Sequence, residues 1–263
     1  MFRLLLIAQN EATARMLETE IPWKEIGFEL PHIATEVRDS DIADIARYAA
    51  VGLDDAAWQD PKLPALLSGP LKAVPTFTVG LNQQALITSL SDVRHLLNRL
   101  HLDYADEVYG PLEMMRIVQD ELIHNLLNGS LRDVDILRRW FRMLRSDIPL
   151  DAGCRLYELM LPEGDLYLSD QWRHGQQRLE NALRSNFFGR ADNGAEYRVA
   201  FVDTKHVRMA AIPLGGNRAD APDFIRSTDE HVSDTIRDIR EYLNLEIELT
   251  DARSVCTLEQ CAR

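Results

Sequence analysis

Cysteine is scarce in this sequence: Cys154, Cys256 and Cys261 are the only three in 263 residues. An odd number with no Cys-x-x-Cys spacing argues against a disulfide framework and against a zinc site, and reads as reduced thiols of a cytoplasmic protein. The seven histidines (His32, His95, His101, His124, His174, His206 and His231) show no His-x-x-His or His-Glu-x-x-His spacing, so no metal centre is expected. No apolar run approaches the roughly 18 residues that a membrane helix needs. The first apolar stretch, Phe2 to Ile7, is too short for the hydrophobic region of a signal peptide and is followed by no cleavage site. No repeat and no low-complexity tract is present. Positive charge is in deficit, with 29 Lys and Arg against 42 Asp and Glu and a formal net charge of −13. A surface that acidic repels phosphates, so no direct nucleic-acid binding by this chain is expected. Even the Arg-rich "ILRRWFRMLR" reads as a helix that packs Trp140 and Phe141 inward and solvates its arginines.

What is present is enough apolar side chain, 46% of residues, to build a substantial core. Residues 2–8 read as a buried strand and 11–20 as a helix facing inward through Ala12, Met16 and Leu17. Gly27 marks a turn, and 28–33 reads as a second strand. "SDIADIARYAA" carries Ile42, Ile45, Ala46 and Ala49 at helical spacing behind Ser40 as N-cap. "AVGLDD", "AVPTFTVG" and "QALIT" read as third, fourth and fifth strands, and "SDVRHLLNRLH" as a helix capped by Ser91. Alternating strands and helices predict a parallel-sheet α/β domain over residues 1–102.

Residues 103–150 read as a helical linker. Pro111 suits a first helical turn and Asn128-Gly129 a C-cap, and Leu112, Met115, Val118 or Gln119, Leu122 and Leu126 fall near three-four spacing. That face, through Met115, Leu122 and Leu126, is either a dimer seam or a surface packed on the chain's own domains. Residues 151–263 read strand (154–161), helix (170–187), strand (196–203), strand (206–213), helix (222–243), strand (244–250), with a tight hairpin connection at Asp203 to Lys205. This βαββαβ order is the ferredoxin-like, split βαβ arrangement.

The end of the first strand, Gln9-Asn10-Glu11, holds two neutral amides where an α/β site of the phosphoryl-transfer kind would place carboxylates for Mg²⁺. The third strand ends in Asp54-Asp55, the fourth in Thr78-Val79-Gly80 and the fifth in Thr88-Ser89, with no Lys. An acceptor carboxylate and hydroxyls therefore survive in kind, while most of the metal-binding charge does not. Gln9, Asn10, Asp54, Thr78 and Thr88 are read as a vestigial phosphoacceptor pocket with no bound metal, the alternative being that Asp54 is simply a polar residue at a strand end. Gly215-Gly216 alone is weak evidence for phosphate binding.

"LLLIAQNE" resembles the opening of bacterial response-regulator receiver domains, and Trp23, Gly27 and Phe28 in "IPWKEIGFEL" are similar to the Trp-x-x-x-Gly-Phe stretch of YesN-type, AraC-family response regulators. "DELIHNLLNGSL" resembles the helix that follows the receiver in that family, and the terminal βαββαβ unit its middle domain, a degenerate relative of the diguanylate-cyclase fold. The resemblance implies a shortened, flavodoxin-like receiver domain, a homodimer or a regulatory protein partner, and a DNA-binding helix-turn-helix region that would be joined past Arg263. The chain departs from the family in lacking the acidic pair and the fifth-strand Lys. It also departs from an active cyclase, since the central hairpin is "VDTKHV" rather than a Gly-Gly-[Asp/Glu]-Glu-Phe turn. The expectation is a non-enzymatic signalling module without a cofactor, the alternative being a ligand-responsive or weakly catalytic protein whose second domain binds a small molecule.

Overall fold

The computed structural model describes residues 1–36, 41, 44–102, 109–188 and 193–262. The chain is mixed α/β, with one four-stranded parallel sheet and a separate four-stranded antiparallel sheet. It divides into two compact units, Met1–Gln119 with Asp135–Asp147, and Asp120–Val134 with Ile148–Arg263.

In the first unit, β1 (Leu4–Ile7), β2 (His32–Ala34), β3 (Ala50–Asp54) and β4 (Thr76–Val79) lie in the order β2-β1-β3-β4, all parallel. Leu4, Leu5, Leu6 and Ile7 are all buried, as expected of a parallel strand covered on both faces. The strands meet closely at Gly52, where an added Cβ would stand 2.6 Å from Leu6 Cδ2 and 2.8 Å from Phe77 and Val79, so a larger residue would force the sheet to shift. Between α1 (Glu11–Thr19) and β2, Trp23 sits edge-on to Phe28, with ring centroids 6.5 Å apart at 84°, and its indole N–H donates to the Leu17 carbonyl. Gly27, at φ 90°, makes the turn between them, a conformation that favours glycine. The second strand is shorter than expected, because Phe28 makes only an isolated parallel bridge to Phe2.

After β3 come two short helices, α2 (Asp55–Trp58) and α3 (Leu63–Ser68). The expected fifth strand does not form. "QALIT" is the beginning of one long helix, α4 (Gln83–Leu102), and the cap is Asn82, whose Oδ1 accepts from the Ala85 N–H, rather than Ser91. The reason is periodicity over the longer span: Leu86, Leu90, Val93, Leu97 and Leu100 are buried at three-four spacing, which a five-residue apolar window cannot reveal. Ser40 and Ile42 lie outside the described residues, and Ile45 to Arg47 form a single 3-10 turn.

The described part of the stretch expected as a helical linker is divided between the two units. Helix α5 (Pro111–Leu127) gives its first residues to the first unit and its last to the second, and α6 (Val134–Leu144), from Asp135 on, belongs to the first unit. α6 is fastened there by side chains. Arg139 pairs with Asp92 at 2.6 Å, and the Trp140 indole N–H donates to the Asp92 carbonyl. Arg145, in the left-handed region at φ 49°, donates to the carbonyls of Leu71, Lys72 and Val74.

The second unit holds β5 (Gly153–Met160), α7 (Gln176–Phe188), β6 (Ala195–Phe201), β7 (His206–Pro213), α8 (Pro222–Leu243) and β8 (Glu248–Thr257), with the sheet order β6-β7-β5-β8, antiparallel throughout. The last strand starts later than expected and runs further, because Leu245 and Ile247 are buried in the segment that leads into it. The β6–β7 connection closes around Asp203, whose Oδ1 accepts from the Lys205 and His206 N–H groups. The end of α5 is tied to this unit by Asp120 with Arg198 at 2.9 Å and His124 with Glu180 at 2.9 Å.

Two tyrosines of this core give an alkaline signature. Burial pushes the Tyr197 phenol up to about 12, and burial also raises that of Tyr157. The unfolded chain ionises its tyrosines near pH ~10, so the stability these phenols supply is complete below that pH and is lost as pH rises toward their folded values. Denaturation midpoints should therefore hold steady near pH ~9 and fall above pH ~10, with Tyr197→Phe removing part of the fall. A Tyr197→Phe curve parallel to that of the parent would show that Tyr197 does not carry the effect.

Candidate functional site

The carboxyl edge of the parallel sheet brings together three of the residues singled out from the sequence. Asp54 ends β3 with 2% exposure. One of its carboxylate oxygens accepts from the Asn10 backbone N–H at 2.8 Å and the other from the Ala57 N–H at 2.8 Å, so the side chain is the N-cap of α2 and a tie to the β1–α1 corner. Asn10 is itself the N-cap of α1, its Oδ1 accepting from Ala12 N at 2.9 Å and Thr13 N at 3.3 Å. Gln9 turns to Asp60, donating at 3.0 Å. The Lys62 backbone N–H, followed by that Gln9 amide, holds the exposed Asp60 carboxylate below its ordinary range.

Thr78 and Thr88 stand apart from this arrangement in role. Thr78 is an exposed residue within β4, in register with Leu53. Thr88 lies in the second turn of α4, where its hydroxyl donates to the Gln84 carbonyl, and it ends no strand. Met115, Leu122 and Leu126, the expected dimer or linker face, are buried in the single chain at 3%, 0% and 0% exposure. Burial in the single chain favours the second of the two readings of that face, a surface packed within the chain.

The first unit also has an apolar cleft of about 370 Å³ at the opposite end of its strands, lined by Tyr48, Pro75, Leu100 and Met114 among others.

The second unit contains a grouping that spacing alone did not disclose. Cys154 on β5 and Cys256 on β8 are cross-strand partners, with Sγ atoms 3.8 Å apart. Cys261, on the 3-10 turn Leu258–Ala262 that follows β8, brings its Sγ to 3.7 Å from that of Cys256 and 3.6 Å from the Thr257 carbonyl. All three sulfurs lie within 4.8 Å of one another. Cys154 and Cys261 are buried, while Cys256 is half-exposed. The neighbouring Cys154 thiol, and after it that of Cys261, pull the Cys256 thiol well below its ordinary range, and those two are pushed up in turn. Cys256 also lines an open cleft of about 540 Å³ with Asn217, Arg218, Asp220 and Gln260. The absence of Cys-x-x-Cys spacing argued against a zinc site, but residues 102 positions apart meet here by strand pairing. The only signal that could have found them is the register of β5 against β8.

No family model matches the sequence, and no curated protein is significantly similar to it.

Proposed function

We propose that the chain is a non-enzymatic signalling module of transcription-regulator ancestry, in which a shortened receiver-like unit has lost phosphorylation and a ferredoxin-like, cyclase-derived unit accompanies it. The observation that carries this reading is Asp54. The residue at the phosphoacceptor position is buried and spends both carboxylate oxygens on backbone N–H groups of Asn10 and Ala57. Phosphorylating either oxygen would take it from its backbone donor, a cost of about 1–3 kcal/mol if that donor stays buried and unsatisfied. The neighbours that would hold Mg²⁺ are the amides of Gln9 and Asn10, one paired with Asp60 and the other capping α1. Amide oxygens bring no negative charge to offset dehydration of the ion.

The parallel order β2-β1-β3-β4 and the interlocked Trp23–Phe28 turn support the receiver-like half, and the antiparallel order β6-β7-β5-β8 across a βαββαβ succession supports the ferredoxin-like half. Output would then pass through protein–protein contact. Among the described residues no helix is long and apolar enough to cross a membrane, and the net charge of −13 opposes direct contact with nucleic acid.

The test is incubation with acetyl phosphate and Mg²⁺ followed by intact-mass and peptide mass spectrometry. No adduct is expected. A stable phosphoryl adduct mapped to Asp54 would overturn the proposal.

A further inference from the structure

We propose that Cys154, Cys256 and Cys261 form a binding site for one thiophilic d10 metal ion, Zn(II) or Cu(I). This does not rest on the signalling reading, since all three residues belong to the second unit and the phosphoacceptor pocket lies in the first.

Geometry carries the proposal. Sulfurs bound to a single ion at about 2.3 Å stand roughly 3.8 Å apart in a tetrahedral site and about 4.0 Å apart in a trigonal planar one. Two of the separations, 3.8 Å and 3.7 Å, match that spacing, and the third pair is held within 4.8 Å. The three positions are set by backbone structure. Cys154 and Cys256 face one another across paired strands. The turn that carries Cys261 is pinned to the start of β5 by hydrogen bonds from Leu258 N to Ala152 O at 3.1 Å and from Glu259 N to Leu150 O at 2.9 Å. The ligand atoms are thus gathered before any ion arrives, which lowers the ordering cost of binding.

The donor set decides the class of ion. Among the described residues no carboxylate or imidazole joins the three thiols. A purely sulfur set selects Cu(I) or Zn(II) and discriminates against Mg²⁺, Ca²⁺ and Mn²⁺, which require oxygen ligands. Cys256 opens on the cleft, which gives an ion a path in and leaves space for a fourth ligand, a water or an external thiol. Binding forms three metal–sulfur bonds, releases to solvent the protons of those sulfurs that still carry one, and involves no change of oxidation state.

The experiment uses the full chain, reduced with a phosphine, stripped with a chelator and kept anaerobic. Zn(II) and Cu(I) are added in separate arms, each against a chromogenic competitor, and the complex is counted by native mass spectrometry. The expected result is one ion per chain in at least one arm. Which arm holds the ion against its competitor identifies the metal. Cys256→Ser, at the half-exposed position where loss of folding is least expected, should weaken binding by at least about tenfold, the lower end of the loss seen even for outer-shell changes. A second readout needs no variant: the bound ion should shield all three thiols of the native protein from alkylation. Three outcomes would overturn the proposal. They are no stoichiometric binding in either arm, undiminished binding by a folded Cys154→Ser/Cys256→Ser/Cys261→Ser variant, and ready formation of a Cys154–Cys256 disulfide in protein that takes up neither ion. The last would make the cluster a redox pair.

Discussion

Leu122→Asp should unfold the protein or bring it close to unfolding. Leu122 is fully buried near the middle of α5. Burying an unpaired carboxylate there costs several kcal/mol before relaxation. That is a large share of the roughly 5–15 kcal/mol of stability of an ordinary folded chain. The denaturant midpoint should fall steeply or the cooperative transition should vanish. Arg116→Asp, at an exposed position of the same helix, should stay within about 0.5 kcal/mol of the parent. A Leu122→Asp protein that keeps the parent's stability and merely changes its mass in solution would show the residue at an interface between copies instead.

The second large effect is expected at Asp229. From α8 its carboxylate receives Arg155 at 2.9 and 3.0 Å, in the two-pronged manner favoured by guanidinium groups, and the Tyr157 hydroxyl at 2.7 Å. Arg155 also lies over the Tyr157 ring, 5.5 Å from its centroid. The Arg155 side chain is only 11% exposed and that of Asp229 25%, so removing the acid leaves a largely buried cation. Asp229→Ala should cost about 3 kcal/mol, the lower end for breaking a buried pair because Asp229 is partly wet. Asp229→Asn should cost less, since its amide oxygen can still accept from Tyr157. The double change Asp229→Leu with Arg155→Met should recover much of the loss, because an apolar pair of similar volume avoids desolvating two charges. An Asp229→Ala midpoint indistinguishable from the parent would show that the contact contributes nothing net.

Long, regular segments were the legible part of this sequence. The helix expected over 222–243 and the strand over 206–213 coincide with α8 and β7, because twenty-two residues of one period or a run of alternating apolar side chains leave little room for another reading. Shorter segments failed where two periods fit equally well. "QALIT" has five residues that satisfy a strand, and only the burial pattern of the residues that follow, through Leu100, makes it a helix. The sheet-edge residues were half legible. That Gln9, Asn10 and Asp54 end adjacent strands could be read from composition and turns. That Asp54 would serve as a double backbone acceptor could not, because it depends on how the β1–α1 corner folds over β3. Arg145 and the three cysteines were out of reach for a related reason. Their partners are 71 to 74 residues away for the former, and up to 102 for the latter, so chain spacing holds no trace of them.

The sharing of α5 between the two units bears on how the protein is made. The polypeptide passes from the first unit to the second after Gln119, returns at Asp135 and leaves again after Asp147. A ribosome therefore delivers the first 119 residues without the helix that Arg139, Trp140 and Arg145 fasten over them. The missing piece follows only after a fifteen-residue stretch, Asp120 to Val134, destined for the other unit. At ordinary synthesis rates of about 5–20 residues per second the gap lasts on the order of seconds. During that time Asp92 and Arg99 of the α4 segment are without their α6 partners, Arg139 and Trp140. A nascent chain stalled between Gln119 and Asp147 would present the first unit to a chaperone without the helix that fastens to it.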